Sequence, residues 1–244
     1  MSGATREQIA GCCRRLRLSR SLADNIASIE AQDREQFLLR LLQMELEHRE
    51  AARRVRLMKG AGFYTLKTFE GYVFDEVKLP SGLTVEELTA CRFVEERRNL
   101  ILYGNCGTGK THLATALGVE CCRQGRHVRF YRTAALVNQL SHARKGGELH
   151  RFLKQLSKLD LLICDEWGYV PLDREGAQLL FQMISDCYER CSVVITTNLE
   201  FSRWVNVFYD EQMTTAMIDR LVHHSHLLIF DGQSWRMRNS LIRQ

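Results

Sequence analysis

Proline is nearly absent, with 2 residues in 244, and the 16 glycines follow no period, which excludes collagen-like and low-complexity chains. No stretch approaches the roughly 18 consecutive apolar residues that a membrane span needs. Residues 1–16 mix charged and polar side chains where a signal peptide would carry its apolar segment, so the expected location is the cytoplasm. Metal and disulfide frameworks are also missing. The nine cysteines (12, 13, 91, 106, 121, 122, 164, 187 and 191) are odd in number, form no C-x-x-C pair and sit in apolar segments, as expected of reduced thiols. Cys187 and Cys191, one helical turn apart, are expected to pack.

What remains is ordinary globular material, 45% hydrophobic and 26% charged. At about 150 residues per domain, the length implies one full domain with a smaller appendage. The net charge of +5 is unevenly placed. Residues 1–60 carry twelve Lys and Arg against eight Asp and Glu, leaving the remainder almost neutral. Such asymmetry suggests an anion-binding appendage on a neutral catalytic domain, with nucleic acid as the polyanion.

From Thr5 to Met58 no strand signal is seen, and Phe37, Leu38, Leu41, Leu42 and Leu46 recur at helical spacing, predicting a small helical bundle. Gly60 and Gly62 break its last helix, which places the boundary near residue 60, with 61–82 as a connector packing against the next domain. Short apolar runs then alternate with amphipathic helices. Leu100–Tyr103, Val128–Tyr131, Leu159–Cys164, Val193–Thr197 and Leu227–Phe230 are the strand candidates, and five buried strands separated by helices predict an α/β fold with a parallel, doubly wound sheet. Thr84 and Glu87 form a capping box for a helix expected to end near Asn99, and Asp173 caps another whose Ala177, Leu180, Phe181, Ile184 and Tyr188 face inward.

The chemistry concentrates at strand ends. Gly104, Asn105, Cys106, Gly107, Thr108, Gly109, Lys110 and Thr111 match G-x-x-x-x-G-K-[ST] between a strand and a helix. Glycines let backbone N–H groups turn inward around a phosphate, Lys110 can reach the β and γ phosphates of ATP, and the Thr111 hydroxyl can hold Mg2+. The run 161–166 ends in Asp165 and Glu166. An Asp there can ligate magnesium and an adjacent Glu can polarise a water, favouring hydrolysis over transfer; the plainer reading is a surface acid pair or helix cap. Asn198 ends a third buried strand and either orients the attacking water or is an ordinary turn residue.

The order of these features, followed by Asp219-Arg220-Leu221 and Gly232-x-Ser234-Trp235-Arg236, resembles the AAA+ ATPases of the initiator and helicase-loader branch. More narrowly, 109–114 with His112 after the P-loop, 165–173, and Thr197-Asn198-Leu199 followed by Trp204 and Phe208 are similar to the IstB family, ATP-binding helpers of two-gene insertion sequences. Two departures stand out: Asn105-Cys106 replaces small or proline residues in the P-loop, and Trp167 an aliphatic one after the acid pair. The resemblance implies a five-stranded P-loop AAA+ core, Arg220 as a finger completing a neighbouring subunit's site, and Arg236 as a sensor touching nucleotide. It also implies assembly into a homo-oligomer through the ATP sites on double-stranded DNA, and a partner transposase. Alternatives are a helicase loader of the same branch and a P-loop regulator that does not hydrolyse; on the plain reading Arg220 and Arg236 are surface arginines.

Arg14, Arg15, Arg17 and Arg20, then Arg49, Arg53, Arg54, Arg56 and Lys59, are candidate phosphate contacts, although Glu45, Glu47 and Glu50 dilute the second group and a solvated, ion-paired face is the alternative. By the resemblance, Arg144 and Lys145 would add contacts from the helical stretch between the second and third strands. His223, His224 and His226 have the wrong spacing for zinc and fall at a helix end, where cations suit the dipole.

Overall fold

The computed structural model describes residues 3–169 and 171–238. The chain divides into two compact units, Met1–Arg56 and Leu57–Gln244.

The first unit contains α1 (Gly3–Arg15), α2 (Arg20–Asn25), a short 3-10 turn and most of α3 (Arg34–Ala61), which carries the chain across the division. Its fixed point is Glu45, only 4% exposed. Both carboxylate oxygens accept the Ser19 backbone N–H at 3.0 Å, the Ser19 hydroxyl donates to Oε2, and Arg49 Nε donates to Oε1 at 2.7 Å. Arg49 also donates from Nη2 to the Arg17 carbonyl at 2.6 Å. Burial alone would raise the Glu45 pKa, but the hydrogen bonds from Ser19 and Arg49 outweigh it and hold the carboxyl below its ordinary value. The apolar pattern of α3 behaves differently from a bundle seam: Phe37 and Leu41 are half-buried, whereas Leu38, Leu42 and Leu46 are exposed.

In the second unit the 61–82 segment places Phe63, Phe69, Tyr72 and Phe74 against the core and ends in a short strand, β1 (Val77–Lys78). The Thr84 capping box is present, but the expected single helix is two, α4 (Val85–Thr89) and α5 (Arg92–Glu95), because Cys91 turns into the left-handed region at φ 57°. Then follow β2 (Asn99–Gly104), α6 (Lys110–Arg123), β3 (Val128–Arg132), α7 (Thr133–Lys145), α8 (Leu149–Leu156), β4 (Leu161–Asp165), α9 (Arg174–Cys187), β5 (Ser192–Thr197), α10 (Val205–Phe208), α11 (Glu211–His223), β6 (Ser225–Phe230) and α12 (Trp235–Arg238). As expected, Asp173 caps α9, accepting from the Gly176 N–H at 2.7 Å.

The sheet order is β1-β6-β2-β5-β4-β3. The five expected strands are all parallel, and β1 adds an antiparallel edge against β6. Alternation along β4 feeds both faces of the sheet. Leu162 and Cys164 enter the core under α7, α8 and α9, while Leu161 and Ile163 enter the one under α6. Because the strands run parallel, Gly104, Asp165 and Thr197 all finish on one edge. Two-sided burial of the strands thus delivers their polar ends to a single line, where ligands of open α/β sheets bind.

Candidate active site at the ends of β2, β4 and β5

The loop between β2 and α6 turns on glycines. Gly107 and Gly109 have φ of 81° and 97°, left-handed values that cost a side-chain-bearing residue about 1–2 kcal/mol. Space is short as well: a Cβ at Gly107 would overlap the Ser234 hydroxyl, and one at Gly109 would come within 3.3 Å of Tyr72 Oη. That oxygen is buried and has no hydrogen-bond partner, and burial pushes the phenol pKa up. Lys110, at the first turn of α6, donates from Nζ to the carbonyls of Gly104 and Asn105, both at 2.6 Å. Thr108 Oγ1 donates to the Asn105 carbonyl at 2.8 Å. His112 places Nε2 2.9 Å from the Thr68 carbonyl and its ring edge-on to Tyr72, fixing the connector beside the loop.

Asp165 closes the other side. Its side chain is 3% exposed, and Oδ1 accepts two hydroxyls, Thr111 Oγ1 at 2.9 Å and Thr196 Oγ1 at 2.5 Å. Thr133 Oγ1 donates to the Asp165 carbonyl at 2.8 Å. Glu166 is left-handed at φ 60°, a conformation that persists only where its surroundings enforce it. Thr196 supplies that constraint, since its Oγ1 accepts the Glu166 N–H at 3.0 Å and its carbonyl accepts the Trp167 N–H at 2.8 Å. The strained residue turns its carboxylate out of the strand, half-exposed and 3.8 Å from Arg132 Nε. The Arg132 guanidinium in turn lies 4.5 Å over the ring of Tyr64.

Asn198 follows β5, and its Nδ2 is 3.8 Å from Cys106 Sγ, so the end of β5 does lie beside the P-loop. Trp235 N donates to the Gly107 carbonyl at 2.9 Å, joining the chain's Gly-x-Ser-Trp-Arg segment to the same loop. Arg236 falls in α12, but its side chain lies outside the described part. Arg220 is part-buried on α11, with Nη1 donating to the Ala216 carbonyl at 2.9 Å and the guanidinium 5.1 Å over Phe181. Those contacts are with α11 itself and α9. Trp167 is fully buried against Trp204 and Phe208, where an aliphatic residue would leave the aromatic cluster incomplete.

The model of the IstB-like ATP binding protein family, IstB_IS21, matches residues 17–242. The chain belongs to that family. It is 38% identical over 218 residues to the ATP-binding protein of insertion sequence IS21 from Pseudomonas aeruginosa, covering 89% of this chain and 82% of the relative. It is 34% identical to that of IS5376 from Geobacillus stearothermophilus, covering 86% and 83%. Among solved structures, AMPPCP-bound DnaA from Aquifex aeolicus superposes with a TM-score of 0.55 at 19% identity, over 70% of this chain and about half (52%) of DnaA. The DnaC helicase loader gives 0.51 at 22%, over 67% and 96%. The fold is therefore that of AAA+ proteins, and ATP is the ligand for which this family is named.

The P-loop glycines, the unpartnered Tyr72 oxygen and the Thr111–Asp165 pair suit a magnesium-bound triphosphate. Thr196, Thr133, Arg132, Tyr64 and Tyr72 also shape this region, and the sequence reading did not single them out. The signal for Thr196 was available: two hydroxyls end an otherwise aliphatic buried strand, and buried hydroxyls need partners.

The candidate DNA contacts fall into three environments. Arg14, Arg15, Arg53 and Arg56 are exposed, as are Lys59 and Lys145, and Arg17 is exposed with its carbonyl bound by Arg49. Arg20 starts α2, with its side chain outside the described part. Arg49 is committed to Glu45, Arg54 lies 3.7 Å from Glu50, and Arg144 3.8 Å from Glu175. His223 and His224 engage Tyr188 and Glu189, at 3.0 and 3.4 Å, tying the end of α11 to the end of α9. The described residues include no helix long and apolar enough to cross a membrane.

Proposed function

We propose that this chain hydrolyses ATP and, in its ATP-bound form, assembles on double-stranded DNA to recruit or regulate a partner transposase. The observation that supports it most is the junction at Asp165 and Glu166. A buried carboxylate shares its oxygen with the P-loop threonine, and the next residue is held in a strained turn that presents a second carboxylate to solvent.

The residues divide the work. The loop amides and the α6 N-terminus would bind the phosphates, with Lys110 exchanging its two carbonyl partners for phosphate oxygens. Mg2+ held by Thr111 and Asp165 would supply charge neutralisation at the β and γ phosphates. Glu166 would accept the proton of the attacking water, and Asn198 would orient that water from across the loop. Arg220, which bonds within α11 and stacks on α9, is assigned to action on a neighbouring subunit. Arg236 is assigned to sensing nucleotide from α12.

DNA binding is assigned to the exposed arginines of the first unit, with Arg144 and Lys145 as a second group. Each neutralised phosphate releases condensed counterions, so log affinity should fall with log salt at about 0.9 per contact. Fluorescence anisotropy on random duplexes, with and without a non-hydrolysed ATP analogue, tests this reading. Expected are ATP-strengthened binding, a steep salt slope, and loss of most affinity in the Arg14→Ala/Arg15→Ala/Arg53→Ala variant. A variant that binds as tightly as wild type removes the first unit from DNA contact, and preference for single strands favours the helicase-loader alternative.

A further inference from the structure

Tyr72 carries a hydroxyl whose partner its own chain does not supply. The connector turns tightly from Phe69 to Tyr72, where the Tyr72 N–H donates to the Phe69 carbonyl at 3.0 Å and Gly71, at the third position of the turn, has φ 69°. A left-handed third residue is what glycine provides there. The turn packs the Tyr72 ring against the core, edge-on to Phe74 and His112 at centroid separations of 4.9 and 5.0 Å. Its hydroxyl oxygen ends beside the P-loop, 3.3 Å from where a Cβ on Gly109 would stand. The oxygen is shut off from solvent and bonds to none of the described residues. Phenylalanine would fill the same space without stranding a polar atom, and an unpaired buried hydroxyl is destabilising.

The start of α6 has two working faces. Thr111 bonds Asp165, so the metal-holding groups and the neighbouring Glu166 gather on the Thr111 side. Gly109 and His112, three residues apart, share the face that meets Tyr72, and Thr111 is turned about 100° from His112. His112 is fixed on that face by its 2.9 Å contact with the Thr68 carbonyl. The side chains met there are the rings of Tyr72, Phe74 and His112 with one unpaired hydroxyl. Rings with a single polar group suit a flat nucleoside, whereas the phosphates belong to the loop amides, Lys110 and the metal side.

We propose that the Tyr72 hydroxyl hydrogen-bonds the nucleoside half, base or ribose, of the bound nucleotide. The connector then forms part of the pocket that separates a nucleoside triphosphate from a bare polyphosphate. This inference rests on the ATP reading above and adds a specificity-determining residue to it.

Isothermal titration calorimetry of the full chain, wild type and Tyr72→Phe, with ATP, ADP and inorganic tripolyphosphate in the presence of Mg2+, tests it beside thermal melts. Tyr72→Phe should bind ATP and ADP about tenfold more weakly and tripolyphosphate as wild type does. Without nucleotide it should melt a few degrees above wild type, because the stranded hydroxyl is gone, and ATP should raise its Tm by less. In steady-state assays KM for ATP should rise while kcat stays unchanged, the signature of lost uniform binding. Undiminished ATP affinity in Tyr72→Phe overturns the proposal. So does an equal loss toward tripolyphosphate, which would put the hydroxyl on a phosphate, or a Tm below wild type without nucleotide, which would mean that the hydroxyl is already satisfied in the free protein. A wild type that binds no nucleotide overturns the ATP reading and this inference together, whereas wild-type binding matched by Tyr72→Phe overturns this inference alone.

Discussion

Replacing Thr196 by valine removes one oxygen and leaves the shape of the strand almost intact. That oxygen serves two neighbours, donating to Asp165 Oδ1 at 2.5 Å and accepting the Glu166 N–H at 3.0 Å in a position only 2% exposed. Water has little access to replace it. Losing a hydrogen bond to a carboxylate costs about 1.5–3 kcal/mol, and orphaning a buried N–H about 1–3 kcal/mol. Asp165 retains Thr111, so the combined loss should fall in the lower half of the summed range, about 2.5–4 kcal/mol, or roughly 5–15 °C in Tm for a unit of this size. The catalytic effect should exceed what stability alone explains. Glu166 holds φ 60° because its N–H is pinned; unpinned, it can relax, and a carboxylate displaced by about 1 Å costs on the order of 100-fold in rate. Thr196→Val should therefore bind ATP within a few-fold of wild type yet release phosphate about 100 times more slowly. Thr196→Ser, which keeps the hydroxyl, should hydrolyse nearly normally. Differential scanning calorimetry with a steady-state phosphate assay would decide it, and wild-type turnover by the valine variant would show that the Thr196 hydroxyl does not hold Glu166 in its working position.

Mixing Arg220→Ala with Glu166→Gln should recover part of the ATPase activity that each lacks alone, since an intact Glu166 then meets an intact Arg220 across a subunit boundary; no recovery at any ratio, with mixed assembly confirmed, counts against action in trans. Glu45 makes a pH prediction for the first unit. Because its folded-state pKa is depressed, its stabilisation is present above the ordinary Glu range and lost as pH falls through the folded value. The Tm gap between wild type and Glu45→Gln should shrink on acidification in circular dichroism melts, and a gap independent of pH would be inconsistent with this.

The sequence was most informative where chemistry is contiguous. The P-loop and the Asp165-Glu166 pair are each local strings whose residues need only a strand and a helix beside them, and their surroundings match that expectation. Thr196 shows in the sequence only as a buried hydroxyl in need of a partner; that Asp165 and Glu166 are the partners depends on β5 lying beside β4, a pairing that no local pattern specifies. Tyr64 meets Arg132 only through the packing of the connector, again a long-range event. The edge strand β1 is two residues long, too short to leave a period. The leucines of α3 carried a true helical signal with an uncertain destination, since periodicity says which residues share a face and not what covers it. Even the division between the units falls inside a continuous helix, between Arg56 and Leu57, rather than at the glycines that end it.

On the proposed function, one site both binds ATP and hydrolyses it through a single carboxylate, Glu166. Nucleotide titration beside phosphate release, on wild type, Lys110→Ala and Glu166→Gln, tests it most directly. Lys110→Ala should lose binding, because the loop amides alone do not balance a triphosphate's charge. Glu166→Gln should bind like wild type and lose about 10²–10⁴ in turnover, the usual worth of a general base. Unchanged turnover in Glu166→Gln would remove Glu166 from catalysis.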